Sequence, residues 1–192
     1  MNILGIHGSP RKNGNSDLLL DRCLEGARSR GAQVESIRAC SLKILGCLAC
    51  NKCRQTGQCV VDDDMQKVYP LLARAERIVM AAPVFFFGLP AQLKSLVDRV
   101  QACWSKRMLA KSAEERKTYS SGLGYLIAVG ATRGDNLFEG CELTAKYFYD
   151  ALDMEYRRGL FFRNIDAKGA ILEHADAMQQ AFDLGIRIAN QL

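Results

Sequence analysis

Apolar positions along this chain follow two alternating rhythms: short unbroken runs, and longer stretches in which they return every three or four residues. Residues 2–7 (NILGIH) form the first run, with the length and character of a buried strand ending at Gly8. Over residues 17–30, Leu18, Leu19, Cys23, Leu24 and Ala27 share one stripe, which predicts an amphipathic helix ended by Gly31. Residues 33–37 predict a second strand, and residues 41–61 break the rhythm as a long cysteine-bearing excursion. After Asp62, Asp63 and Asp64, whose carboxylates suit the positive end of a helix, Met65, Val68, Leu71 and Leu72 form the next apolar face. Residues 78–82 read as a buried strand stopped by Pro83, which has no N–H to give a sheet.

Pro90 suits the first turn of a helix bearing Leu93, Leu96, Val97 and Val100. The charged residues 106–117 read as a surface connection. A strand over 123–129, a loop over 130–134, a helix through 137–152, a strand near 154–161 and a final helix from about 171 to 189 complete the pattern. Five strands alternating with five helices predict an α/β fold, a parallel sheet covered on both faces. Ligands of such sheets bind beyond the carboxyl ends of the strands, where three unusual loops of this sequence fall.

The 192 residues suffice for one substantial core and are expected to form a single domain with an insertion at about 41–61. The most apolar region, around residues 78–89, is interrupted by Pro83 and Gly88 and is too short to span a membrane. A formal charge of +5 without a basic stripe interleaved with aromatics argues against nucleic acid. Residues 1–8 are too short for a secretory signal and lack a basic leader, so the expected location is the cytoplasm. There, eight cysteines are better read as thiols and ligands than as a disulfide framework. Cys23, Cys40, Cys103 and Cys141 are dispersed and read as core or near-core residues.

The loop from Gly8 to Ser16 lacks the dinucleotide and nucleotide glycine patterns. It offers hydroxyls on Ser9 and Ser16, the Asn15 amide, Arg11, Asn13 and N–H groups at a helix start, a set able to gather a terminal phosphate without magnesium. The alternative is a polar turn that merely caps the helix. Pro83, Val84, Phe85, Phe86, Phe87 and Gly88 could lay an apolar wall and backbone polar groups against a planar cofactor, or fill core. Ala131, Thr132, Arg133 and Gly134 offer a second edge, where Arg133 could meet negative charge or make a surface ion pair. Trp104 could cover cofactor or anchor a dimer. His7 reads as local structure and His174 as a helix-surface residue, and no residue is assigned as catalytic.

Cys47, Cys50, Cys53 and Cys59 fall within thirteen residues at C-x2-C-x2-C-x5-C spacing, with Gly46 and Gly57 to turn the chain. Such a packet suits a [4Fe–4S] cluster first, tetrahedral zinc second, and free or reversibly paired thiols third.

Taken together, these motifs resemble the flavodoxin-like family of NAD(P)H-dependent FMN reductases, and more closely its iron–sulfur flavoprotein branch. The segment Gly8 to Ser16 is similar to that family's FMN-phosphate loop, and Ala82 to Pro90 to its isoalloxazine loop. The cysteine packet followed by Asp62-Asp63-Asp64-Met65 resembles the cluster-bearing branch. The resemblance implies a three-layer sandwich with sheet order 2-1-3-4-5, FMN, one [4Fe–4S] cluster per subunit, and a homodimer or dimer of dimers with FMN near a subunit contact. It implies an oxidoreductase or electron-transfer flavoprotein drawing on ferredoxin or NAD(P)H. A flavin or quinone reductase without a cluster, and a redox carrier or sensor, are the alternatives.

Overall fold

Strands β1 (Asn2–His7), β2 (Gln33–Arg38), β3 (Arg77–Pro83), β4 (Gly122–Val129) and β5 (Met154–Phe162) lie side by side in a computed structural model that describes residues 1–190. They run parallel in the order β2-β1-β3-β4-β5. This is the flavodoxin-like arrangement expected. Successive side chains of a strand face opposite ways, and the core divides accordingly. Ile3, Val79, Ala81 and Ile127 pack under helices α1 (Asn15–Arg28) and α7 (Ala177–Asn190). Leu4, Ile6, Ile78, Met80 and Leu126 pack under α3 (Met65–Arg74), α4 (Ala91–Arg99) and α6 (Glu139–Ala151). A short α2 (Cys53–Thr56) lies within the cysteine-bearing excursion, against α5 (Gln101–Ala110).

Two boundaries depart furthest from the sequence expectation. The charged stretch at 106–117 is helical as far as Ala110, because Arg107 turns inward and is buried between Asp150 and Asp153, each 2.9 Å away. A buried arginine carries no apolar signal, so the helical stripe was hidden. The last helix begins at Ala177 rather than near 171; a single 3-10 turn at Ala170–Glu173 precedes it. Among the described residues, no helix is long and apolar enough to cross a membrane.

Helices α1 and α7 approach at glycines. A Cβ on Gly26 would meet the Phe182 carbonyl, and one on Gly185 the Cys23 carbonyl. Both obstacles are backbone and cannot swing aside. Gly185→Ala should therefore cost about 3 kcal/mol of stability by overpacking, read as a lower denaturant midpoint with an unchanged slope.

Candidate functional site

The sheet winds in opposite directions from β1, to β2 on one side and to β3 on the other, and in sheets of this order ligands bind at the carboxyl ends of the strands where the winding reverses. Three loops meet this rim. They leave β1, β3 and β4, and each exit is tied down: Gly8 N–H donates to Ala81 O at 2.7 Å, Val84 N–H to Val129 O at 2.8 Å, and Gly130 N–H to Phe162 O at 2.9 Å.

The first loop leads into the N-terminus of α1, where the opening N–H groups have no partner within the helix. Its N-cap is Gly14, with no side-chain cap. Arg11 N–H donates to Ser9 Oγ at 3.1 Å and Gly14 N–H to Arg11 O at 3.0 Å, while Asn13 adopts a left-handed φ of 55°. Ser9 and Ser16 are buried and Arg11 is exposed. The Asn15 side chain is engaged elsewhere, since its Nδ2 donates to Ala167 O and its Oδ1 accepts from Gly169 N–H and Ile171 N–H. Its backbone N–H stands at the first position of α1.

Beneath this loop lies an ion network centred on Asp17, which is fully buried. One oxygen accepts from Asn13 N–H at 2.9 Å and meets Arg38 Nη1 at 2.7 Å; the other faces His7 Nδ1 at 3.3 Å. Burial pushes the Asp17 pKa up, but hydrogen bonds from His7 and Arg38 outweigh it and hold the carboxyl below its usual range. Arg38 also reaches the Ser9 carbonyl.

The second loop is strained. Phe85 and Gly88 exchange N–H···O=C bonds at 2.9 Å, leaving Phe86 (φ 49°) and Phe87 (φ 61°) as a two-residue turn in the left-handed region. Asn-Gly is the pair such a turn favours, and each phenylalanine there costs about 1 kcal/mol or more. Phe86 is 104% exposed, so burial does not offset the strain. The turn leans on the start of α6 and on the third loop: the Phe87 carbonyl occupies the space a Cβ on Gly140 would need, and its ring borders Gly134. Ala131, Thr132, Arg133 and Gly134 are all exposed, with Arg133 Nε donating to Asn164 Oδ1 at 3.0 Å. Trp104 lies within α5, the helix that follows α4, and is exposed.

The cysteine-bearing segment is gathered at its neck. Asp63 accepts from Leu45 N–H at 3.0 Å and from Met65 N–H at 2.9 Å, and pairs with Arg99 Nη1 at 2.6 Å. Arg99, 1% exposed, also donates to the carbonyls of Leu45 (2.9 Å) and Val61 (3.4 Å), one on each side of the neck. Burial would raise the Asp63 pKa, but the Arg99 hydrogen bond together with the two N–H donors lowers it. Within the loop, Ala49, Asn51 and Gly57 take left-handed φ values. Cys53 packs onto α5, where Ser105 Oγ approaches its sulfur at 3.5 Å.

Cys47, Cys50, Cys53 and Cys59 all line one pocket, with Arg99, Gln101 and Ala102 in its wall. Among the described residues, no three cysteine, histidine or carboxylate side chains stand close enough together to hold a metal ion. The residues nevertheless fit a thiolate-held centre by donor type and by their convergence on one pocket. The remaining cysteines differ. Burial pushes Cys23 and Cys141 up to about 12 and Cys103 up to about 11, leaving them inert as thiols. The half-buried Cys40 points at the Ser9 carbonyl.

Residues 1–135 match the family model described as NADPH-dependent FMN reductase. The chain belongs to that family. Membership makes it an FMN-using oxidoreductase, and residues 1–135 take in the rim loops after β1 and β3, the cysteine segment and most of the loop after β4. Proteins named iron-sulfur flavoprotein are similar to it: one from Methanosarcina thermophila at 34% identity over 78% of this chain and 72% of its own, and one from Methanocaldococcus jannaschii at 34% over 69% of this chain and 64% of its own. Among solved structures, a flavone reductase (TM-score 0.70, 20% identity) covers 98% of this chain and 62% of its own. The NAD(P)H:quinone oxidoreductase of Methanothermobacter marburgensis (TM-score 0.68, 14% identity) covers 100% and 96%. At these identities the two structures speak to the fold alone.

The sequence reading missed Asp17, Arg38, Asp63 and Arg99. The signal for Asp63 was visible as an acidic triplet, but its partner lies 36 residues away. For Asp17 the buried pairing has a pH signature. A carboxyl with a depressed folded pKa contributes stability above its ordinary value of 3.8 and loses it as pH falls through the lowered one. Asp17→Asn should lose about 3 kcal/mol at neutral pH, as for a broken buried pair, with the gap to wild type closing below pH 3.8. Denaturant titration across that range reads it.

Proposed function

We propose that FMN lies along the rim formed by the three loops and exchanges electrons with a [4Fe–4S] cluster held by Cys47, Cys50, Cys53 and Cys59. The observation that carries this reading is the convergence of four cysteines on one pocket in a chain of an FMN-using family. Relatives named iron-sulfur flavoprotein support it. When bound, FMN supplies hydride acceptance with one-electron release, and the cluster supplies one-electron relay.

The chain's own groups divide the remaining work. Backbone N–H groups at the start of α1, the Ser9 and Ser16 hydroxyls and Arg11 hold the phosphate, with Asn13 positioned by Asp17. Residues 83–88 and 131–134 flank the ring: the first through an apolar wall and backbone groups, the second through Thr132 and the Arg133 charge. The exposed aromatic turn at Phe85, Phe86 and Phe87 suits a subunit contact, in a homodimer or dimer of dimers. Ferredoxin or NAD(P)H is the electron donor in this reading, in a reducing cytoplasm.

The open spacing of the thiols favours a second reading, an NAD(P)H-dependent flavin or quinone reductase without a cluster. Anaerobic purification with quantification of FMN, iron and acid-labile sulfide separates the two. In the cluster reading Cys50→Ser loses iron and sulfide and keeps FMN; iron absent from wild-type protein reduced rapidly by a nicotinamide selects the second. Independently, Arg11→Ala should weaken FMN binding about tenfold, the scale of one charge-assisted hydrogen bond, measured by flavin fluorescence; unchanged affinity removes Arg11 from the site.

A further inference from the structure

We propose that Arg99 is a positioning residue for the iron–sulfur centre: clamped by Asp63 and bonded to the Leu45 and Val61 carbonyls, it closes the neck of the cysteine loop and fixes a positive charge in the wall of the cysteine pocket. This rests on the cluster reading above.

Four observations carry it. First, the carbonyls that Arg99 grips belong to residues two before Cys47 and two after Cys59, so one guanidinium sets the separation of the loop's ends. Second, it comes from the end of α4, a packed helix, and its own carbonyl accepts the Tyr69 hydroxyl at 2.9 Å, so the fork is held on a rigid support. Third, Arg99 lines the cysteine pocket and Asp63 does not, so the pocket wall holds the cationic member of the pair. Fourth, the buried Nε–H of Arg99 has no hydrogen-bond partner among the described residues. A buried unpaired donor calls for a partner, and acceptor sulfur is what this pocket offers.

Burying a guanidinium is costly, and an apolar plug could close the neck more cheaply. Charge is the property a plug lacks. An all-thiolate [4Fe–4S] centre is anionic and gains a further negative charge on reduction. A fixed cation and an N–H donor beside the sulfurs favour the reduced state and raise the potential.

The test uses the full chain, purified and reconstituted with iron and sulfide without oxygen. Iron and sulfide content, FMN content, iron retention against a chelator and the midpoint potential of the iron centre by EPR-monitored titration are measured. Arg99→Gln should retain iron about tenfold less well, the usual scale for an outer-sphere partner, shift the potential more negative, and keep FMN. Arg99→Lys, which keeps the charge, should restore most of the potential. Wild-type loading and potential in Arg99→Gln overturn the proposal, as does an equal shift in both variants. Should Arg99→Gln fail to fold, Asp63→Asn reads the same device with the opposite sign: weaker retention and a potential no lower than wild type, a more negative value overturning it. Wild-type protein that takes up no iron overturns the cluster reading and this proposal together, whereas a loaded wild type with indifferent variants overturns the proposal alone.

Discussion

A parallel sheet delivers every strand's carboxyl end to the same rim, and reversal of winding between β1 and β3 leaves part of that rim uncovered by helices. The rest of the molecule is arranged around this constraint. The first loop enters the crevice because β1 must feed α1 on one face. The aromatic turn follows β3, its neighbour, and the third loop follows β4. Burial of β1, β3 and β4 on both faces holds these exits rigid while their loops remain at the surface.

Two of the irregular segments are stabilised by the same device. In each, a buried carboxylate accepts a loop N–H and pairs with an arginine from a different element: Asp17 with Arg38 beneath the first loop, and Asp63 with Arg99 at the neck of the cysteine segment. Loops carry backbone donors that neither helix nor strand satisfies, and a carboxylate with two oxygens can gather them at one point. The arginine offsets the cost of burying that charge and extends the grip to backbone carbonyls, Ser9 in one case and Leu45 with Val61 in the other. The aromatic turn has no such support and relies on its contact with Gly134 and Gly140.

Much of the scaffold was legible in the sequence because strands buried on both faces read as unbroken apolar runs, as 2–7 and 78–82 do. The three loops were legible as loops for the same reason: they interrupt those runs. Three of the departures share one physical cause. Arg107, Arg99 and Asp17 are charged residues placed inside, and hydrophobic patterning assigns such residues to the surface. This hid the continuation of α5 and both loop-anchoring ion pairs. The Asn15 side chain is a different case: it suits a ligand by type, and its hydrogen bonds at 167–171, over 150 residues along the chain, left no mark in the local pattern.

That asparagine ties together two regions remote in sequence. Its three hydrogen bonds anchor the turn that introduces α7, while its main chain forms the first step of α1 at the rim. A ligand held by the start of α1 would therefore be thermodynamically linked to the docking of the final helix. Whatever steadies the start of α1 also steadies the turn at 167–171, and loosening that turn would weaken what the start of α1 can hold.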